Sequence, residues 1–148
     1  MELTRIFTAE QFEQALAPWR WIGLDGLEPW FASTFGDVFL TGDDGIYWLD
    51  VAAGELTRPW TSAEEAKAAL GTDEGLDEYL LADLAFAAAE AELEPAGDEV
   101  LDFKTPPVLG GEYDVANLRL AGFVAAVSEA GRLHDRIKDL PEGAEIDL

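Results

Sequence analysis

The 148-residue chain contains no cysteine, which excludes disulfides, thiolate nucleophiles and Cys-ligated zinc or iron–sulfur sites. Histidine occurs once, at His134, so a histidine-based metal pair or triad has one candidate member at most. That residue stands between Arg132 and Asp135 in a helical pattern, where packing is the ordinary role. The serines Ser33, Ser62 and Ser128 include none in a Gly-x-Ser-x-Gly elbow. Basic residues are also scarce, nine against 31 acids, for a formal charge of −22 at pH 7. Such a surface repels phosphate backbones and anionic lipid, so neither nucleic acid nor membrane is an expected partner. No apolar run approaches the ~18 residues of a spanning helix. The start, Met1-Glu2-Leu3-Thr4-Arg5, has no basic n-region followed by an apolar stretch. A cytoplasmic protein without a signal peptide is the expectation.

What is present is core material. Apolar residues make up 49% of the chain, with five Trp and eight Phe. A chain of this length buries roughly 70% of its unfolded surface, enough for one domain without staples. Residues 1–148 therefore read as a single α+β domain: an antiparallel β-meander packed with about four helices.

Local signals place the elements. Thr8-Ala9-Glu10-Gln11 has capping-box spacing and opens a helix over 9–17, with Phe12, Ala15 and Leu16 on one face and Pro18 as its stop. The aromatic stretch 19–23 is too short for a helix. Strands at 36–41 and 46–51 flank Gly42-Asp43-Asp44-Gly45, a hairpin turn rich in residues that accept positive φ. A third strand at 55–58 is closed by Pro59. Ser62 caps a helix over 63–70, with Glu64 and Glu65 favoured by its dipole. The longest helix is expected over 74–93, with Leu76, Leu80, Leu84, Ala87, Ala88 and Ala91 as its stripe and Tyr79 and Phe86 beside it. A short strand at 100–104, a further one at 118–120 and a last helix over 123–139, ended by Pro141-Glu142-Gly143, complete the pattern.

Chemistry-bearing constellations are few. Asp43-Asp44-Gly45 with Asp37 and Asp50 fails the EF-hand template, which needs alternating ligands and a distal bidentate Glu. Gly110-Gly111 is followed by no Lys-Ser or Lys-Thr and is no phosphate loop; with Pro106 and Pro107 it reads as a structural turn. No metal or cofactor is expected. Among so many carboxylates a pair at glycosidase distance can arise, and Trp19, Trp21 or Trp30 can line a sugar pocket, so a carboxylate-using hydrolase or a sugar-binding protein is the alternative reading.

The charge itself is uneven. Residues 1–100 hold 22 acids and four bases, whereas residues 101–148 hold nine acids and five bases. The densest cluster is Asp73, Glu74, Asp77 and Glu78; Glu90, Glu92, Glu94, Asp98 and Glu99 form a second. A solvated helix face is the plain reading of both. The functional reading makes Asp73, Glu74, Asp77 and Glu78, with Asp43 and Asp44, a landing surface for a basic protein.

Two stretches together resemble a known family. One is Phe35-Gly36-Asp37-Val38-Phe39-Leu40 leading to Asp44-Gly45-Ile46-Tyr47-Trp48-Leu49-Asp50. The other is Phe103-Lys104-Thr105-Pro106-Pro107-Val108-Leu109-Gly110-Gly111-Glu112-Tyr113, followed by Asn117 and the helix bearing His134. They are similar to a small family of uncharacterised bacterial proteins related to the C-terminal domain of type VI secretion DNase immunity proteins. The resemblance runs from about residue 30 to the end, and Pro-Pro-Val-Leu-Gly-Gly is its most specific part. It implies an antitoxin-like, non-catalytic binding module that occludes a secreted effector, with no catalytic residue to carry over. The better-known immunity proteins carry an additional N-terminal domain that this chain does not accommodate.

Overall fold

The hairpin at Asp43-Asp44 forms the middle of a five-stranded antiparallel sheet, seen in a computed structural model that describes residues 2–140. The strands are β1 (Thr4–Arg5), β2 (Glu28–Ser33), β3 (Val38–Gly42), β4 (Gly45–Asp50) and β5 (Glu55–Trp60), and they lie side by side in chain order. The turn fixes the register, with Gly42 opposite Gly45, Leu40 opposite Tyr47 and Val38 opposite Leu49. A second, two-stranded sheet pairs β6 (Glu99–Phe103) with β7 (Leu118–Gly122). It joins the first through the Leu101 N–H, which donates to the Thr34 carbonyl at 2.7 Å.

Alternation along the strands sends side chains to both faces of the large sheet, and both are covered. Val38, Leu40, Leu49 and Val51 pack with α1 (Ala9–Leu16) and α5 (Phe123–Ile137). Phe39, Ile46 and Trp60 pack against α2 (Ala63–Ala69) and α3 (Asp73–Leu80). A third cluster, Phe35, Ala85, Ala88, Leu101 and Leu118, seats α4 (Ala82–Glu90) on the small sheet. The architecture is α+β in one continuous body.

Local chemistry explains the helix starts. Thr8 and Gln11 close a reciprocal capping box at 2.9 and 3.1 Å. Ser62 accepts from the Glu65 N–H and Thr72 from the Gly75 N–H. Trp19 is fully buried, and its indole N–H donates to the Val127 carbonyl at 2.8 Å, locking the region after α1 onto α5. Burying an indole of this size is worth about 5 kcal/mol by area, an upper bound.

Four expectations are corrected. The helix expected over 74–93 is two helices, split at Leu81, which adopts the left-handed conformation at φ 52°. The break resets the helical phase, so Ala82 and Ala85 are buried while Ala87, Ala91 and Phe86 are exposed. Consequently there are five helices rather than four among the described residues. The meander gains the two-residue β1 and also β2, whose apolar run is interrupted by Pro29 and whose register shifts between Pro29 and Phe31. Pro18 does not end helical structure: Ala17–Ile22 continue as a 3-10 helix, with proline tolerated in its first turn and Gly23 closing it in the left-handed region. The stop expected at Pro141-Glu142-Gly143 lies outside the described residues.

Candidate functional site

The acidic cluster sits where its helix allows full exposure. Thr72 caps α3, and Asp73 and Glu74 occupy its first turn, where carboxylates complement the dipole. Asp77 and Glu78 follow one turn on, and all four are solvent-exposed. Asp77 Oδ1 also accepts the Asp83 N–H at 3.2 Å and fastens the α3–α4 corner. None of the four shares an ion pair with another described residue. Asp43 and Asp44 are exposed at the hairpin tip. Asp44, however, accepts the Tyr47 hydroxyl and pairs with Arg58 at 3.3 Å, so its charge is partly cancelled.

The Pro106-Pro107-Val108-Leu109-Gly110-Gly111 stretch is a stapled loop. Pro107–Leu109 make one 3-10 turn, closed by Gly110 at φ 97°. Gly111 passes so close to the Thr105 carbonyl that an added Cβ would lie 1.8 Å from its oxygen. Asn117 then closes the loop: its amide donates to the Thr105 and Glu112 carbonyls and accepts the Thr105 N–H, each at 2.9 Å. The residues that carry the family resemblance thus build a fixed wall.

That wall borders a cleft of about 630 Å³, between the end of β4, the small sheet, the 104–113 loop and one face of α5. Trp48, Tyr79, Phe103 and Tyr113 supply aromatic surface, and Glu78, Pro106 and Pro107 also line it. Asp37 stands at its inner side, buried, with Oδ2 accepting the Trp48 indole N–H at 3.0 Å and Oδ1 the Val51 N–H at 3.1 Å. Burial first, and the neighbouring Asp50 charge second, hold its carboxyl well above the usual range, against the two bonds that favour the anion. Burial also raises Asp50, while its bond from the Ala53 N–H works the other way. Tyr113 is raised by desolvation and then by Asp50 and Asp37. Burial is thus the leading cause that raises both carboxyls.

His134 closes the inner end of the cleft. It is buried, its Nε2 lies 3.1 Å from the Val51 carbonyl, and its ring rests near Trp19. Because the partner is a carbonyl, Nε2 carries the proton and donates it. Burial lowers its pKa, with the β4-end carbonyls and Asp50 opposing, so the ring is neutral at pH 7.

The architecture has a counterpart among solved structures. The chain is similar in fold to Atu4351 from Agrobacterium tumefaciens. That crystal structure superposes with a TM-score of 0.62 over 88% of this chain and 66% of the other, at 14% sequence identity. The chain therefore spans about 66% of that protein's length. At this identity the likeness is one of fold. No family model and no curated protein matches the sequence.

The cleft collects residues that stand apart in the sequence. Asp37 and Asp50 figure there as failed calcium ligands and, with Trp48, Phe103 and Tyr113, in the family resemblance; Tyr79 stands beside a helix stripe, and Arg119 and Arg132 carry no functional reading. One signal was visible, since Asp37 is a carboxylate inside the apolar run Phe35–Leu40. Trp19, Trp21 and Trp30, considered for a sugar pocket, are absent from this cleft: Trp19 and Trp21 pack beneath α5, and Trp30 borders a different groove beside β2. Chemically, the cleft brings two carboxyls raised by burial together with further acids, basic side chains and aromatic walls.

Proposed function

We propose that this chain is an acidic, non-catalytic binding module of the immunity type, one that occupies a basic effector protein such as a secreted nuclease. The observation that carries the reading is the capped start of α3. Four carboxylates within six residues, Asp73, Glu74, Asp77 and Glu78, stand exposed and outside any ion pair among the described residues. A field of that sign steers a cationic partner and raises its association rate more than its final affinity. The resemblance of residues 35–50 and 103–113 to immunity-related proteins supports the same reading.

The experiment is capture of partners from the native lysate, followed by surface-binding kinetics. Reversing Asp73, Glu74, Asp77 and Glu78 to Lys should slow association about tenfold or more, with smaller change in dissociation. Reversing the exposed pair Glu10 and Glu13 on α1 should do much less. Association that ignores salt, or equal effects from both sets, would reject this surface.

A second reading has its own observation. Raised carboxyls at Asp37 and Asp50 facing aromatic walls in one cleft are what a ligand-binding or hydrolytic protein uses. Saturable binding of a small molecule with no protein partner captured would favour it.

A further inference from the structure

We propose that the cleft between β4, the small sheet and α5 is the anchoring pocket of the interface that α3 begins, and that it receives an arginine side chain of the basic partner. This inference rests on the docking reading of α3. Its first ground is continuity. Glu78 belongs to the exposed acidic cluster of α3 and also lines the cleft, and the next residue, Tyr79, lies edge-on to Trp48 with ring centroids 5.1 Å apart. A protein drawn to α3 by its charge therefore meets the cleft beside its landing point. Interfaces concentrate their binding energy where a few large side chains fill such pockets, and arginine is among the residues enriched there.

The second ground is the full account of charge. Asp37, Asp50, Glu78, Asp102 and Glu129 line the cleft together with Lys104, Arg119, Arg132 and Arg136. Most of the bases are already engaged. Arg119 pairs with Asp102 across the small sheet at 3.0 Å, Lys104 donates to the Ala116 carbonyl at 3.2 Å, and Arg136 has a partner of its own. Among the acids, Asp37 takes the Trp48 and Val51 N–H groups on its two oxygens. Asp50 accepts the Ala53 N–H at 3.1 Å and keeps acceptor capacity, since a carboxylate offers about four lone-pair sites. Glu78, Glu129 and Arg132 are exposed and have no hydrogen-bond or ion-pair partner among the described residues. Three acids with spare acceptors thus stand against one spare guanidinium, in a chain at −22, and the balance favours a cation.

The third ground is the shape of the walls. Trp48, Phe103 and Tyr113 present aromatic surface, and a planar guanidinium stacks on such faces more readily than an ammonium. A volume of about 630 Å³ holds the side chain with the backbone on either side of it.

The test is NMR titration of the purified full chain with acetyl-Gly-Arg-Gly-amide, beside its lysine and citrulline counterparts. Citrulline keeps the planar end and lacks the charge. We expect saturable binding of the arginine peptide, with lysine about threefold weaker and citrulline about tenfold weaker or more. Glu129→Gln should weaken the arginine peptide about threefold, Tyr113→Ala should erase its advantage over lysine, and Glu13→Gln, outside the cleft, should leave it unchanged. All three residues are exposed, so circular dichroism should show the variants folded. Against the captured partner, Glu129→Gln and Tyr113→Ala should speed dissociation about threefold with association little changed. Citrulline binding as well as arginine overturns the cation assignment. Equal loss from Glu13→Gln assigns the binding to the overall field and overturns the pocket. No saturable binding, or unchanged dissociation in both cleft variants, overturns the anchor and leaves steering by α3 standing. Reversals on α3 that fail to slow association overturn the docking reading itself, whatever the peptides do.

Discussion

The indole N–H of Trp48 reaches Asp37 Oδ2 at 3.0 Å, and the Val51 N–H reaches the other oxygen at 3.1 Å. One buried carboxyl thereby ties the start of β3 to β4 and to the residue beyond it. The same residue separates what holds the fold together from what the cleft can do.

Asp37 makes stability depend on pH. Its folded pKa is raised well above the ordinary 3.8, chiefly by burial. The folded state therefore holds a proton that the unfolded state has released. Stability rises as pH falls through the folded value, and the gain is complete near 3.8. Asp50 acts in the same direction. His134 opposes: its lowered pKa means that stability is present above the ordinary 6.5 and is lost as pH falls below it. We expect the carboxyls to raise the melting temperature as pH falls toward 3.8, and the imidazole to work against that rise below 6.5. Asp37→Asn should flatten that rise and cost about 1–3 kcal/mol, because one of the two N–H donors then faces an amide. Parallel melting curves for the variant and the wild type across pH would show that Asp37 titrates normally.

Gly54 and His134 form a second linked pair. Gly54 has φ 71°, and an added Cβ would lie 2.3 Å from His134 Nδ1. Gly54→Ala should cost about 2 kcal/mol or more, from left-handed strain and displacement of the ring. His134→Ala should cost about 2–4 kcal/mol, because it removes a buried ring together with the bond to Val51. If the ring is the obstacle, Gly54→Ala costs at least ~1 kcal/mol less in the His134→Ala background, as a denaturant double-mutant cycle would measure. Additive effects would place the Gly54 constraint in its backbone alone.

The loop that borders the cleft should depend on Asn117. Its side chain makes three hydrogen bonds, two of them as donor. Asn117→Ala leaves the Thr105 N–H and two carbonyls to find water, at about 1–3 kcal/mol. Hydrogen exchange at Thr105 should accelerate by tenfold or more while the Val127 amide in α5 changes only with global stability. Unchanged exchange at Thr105 would assign the loop's order to its prolines and glycines instead.

These residues also mark how far the sequence could be read. Wherever a local signal and burial agreed, as at Thr8, Ser62 and the Asp43-Asp44 turn, the element lies within a residue or two of its expected place. Leu81 escaped because nothing in Leu80-Leu81-Ala82 announces a left-handed residue; tertiary packing imposes it, at a cost of about 1–2 kcal/mol. β1 escaped because a two-residue strand has no period, and it exists only by pairing with Ala32 and Ser33. The cleft was hidden for a related reason. Its acids lie at 37, 50, 78, 102 and 129 and its cations at 104–136, and only the packing of α5 and the small sheet against β4 brings them together. Charge content could be read directly; charge position needed the fold.

Salt should stabilise the protein. The formal charge of −22 is spread over a folded surface far smaller than the unfolded chain, so mutual repulsion burdens the native state more. Salt screens exposed charges beyond roughly 8 Å at physiological ionic strength. It also weakens favourable pairs, but Arg58–Asp44 and Lys138–Asp135 are exposed, and such pairs are worth about 0–1 kcal/mol each. Acids on α3 gain from the helix dipole, again only about 0.3–1 kcal/mol each and likewise reduced by salt. With acids outnumbering bases 31 to nine, the repulsive sum exceeds these local gains. The melting temperature should therefore climb by several degrees as sodium chloride rises from low to moderate concentration, and choline chloride should act alike because screening depends on ionic strength. Sodium acting where choline does not would point to ion binding at a site. A flat response to both salts would mean that the carboxylates stand far enough apart to ignore one another, and the steering assigned to α3 would then lose its physical basis.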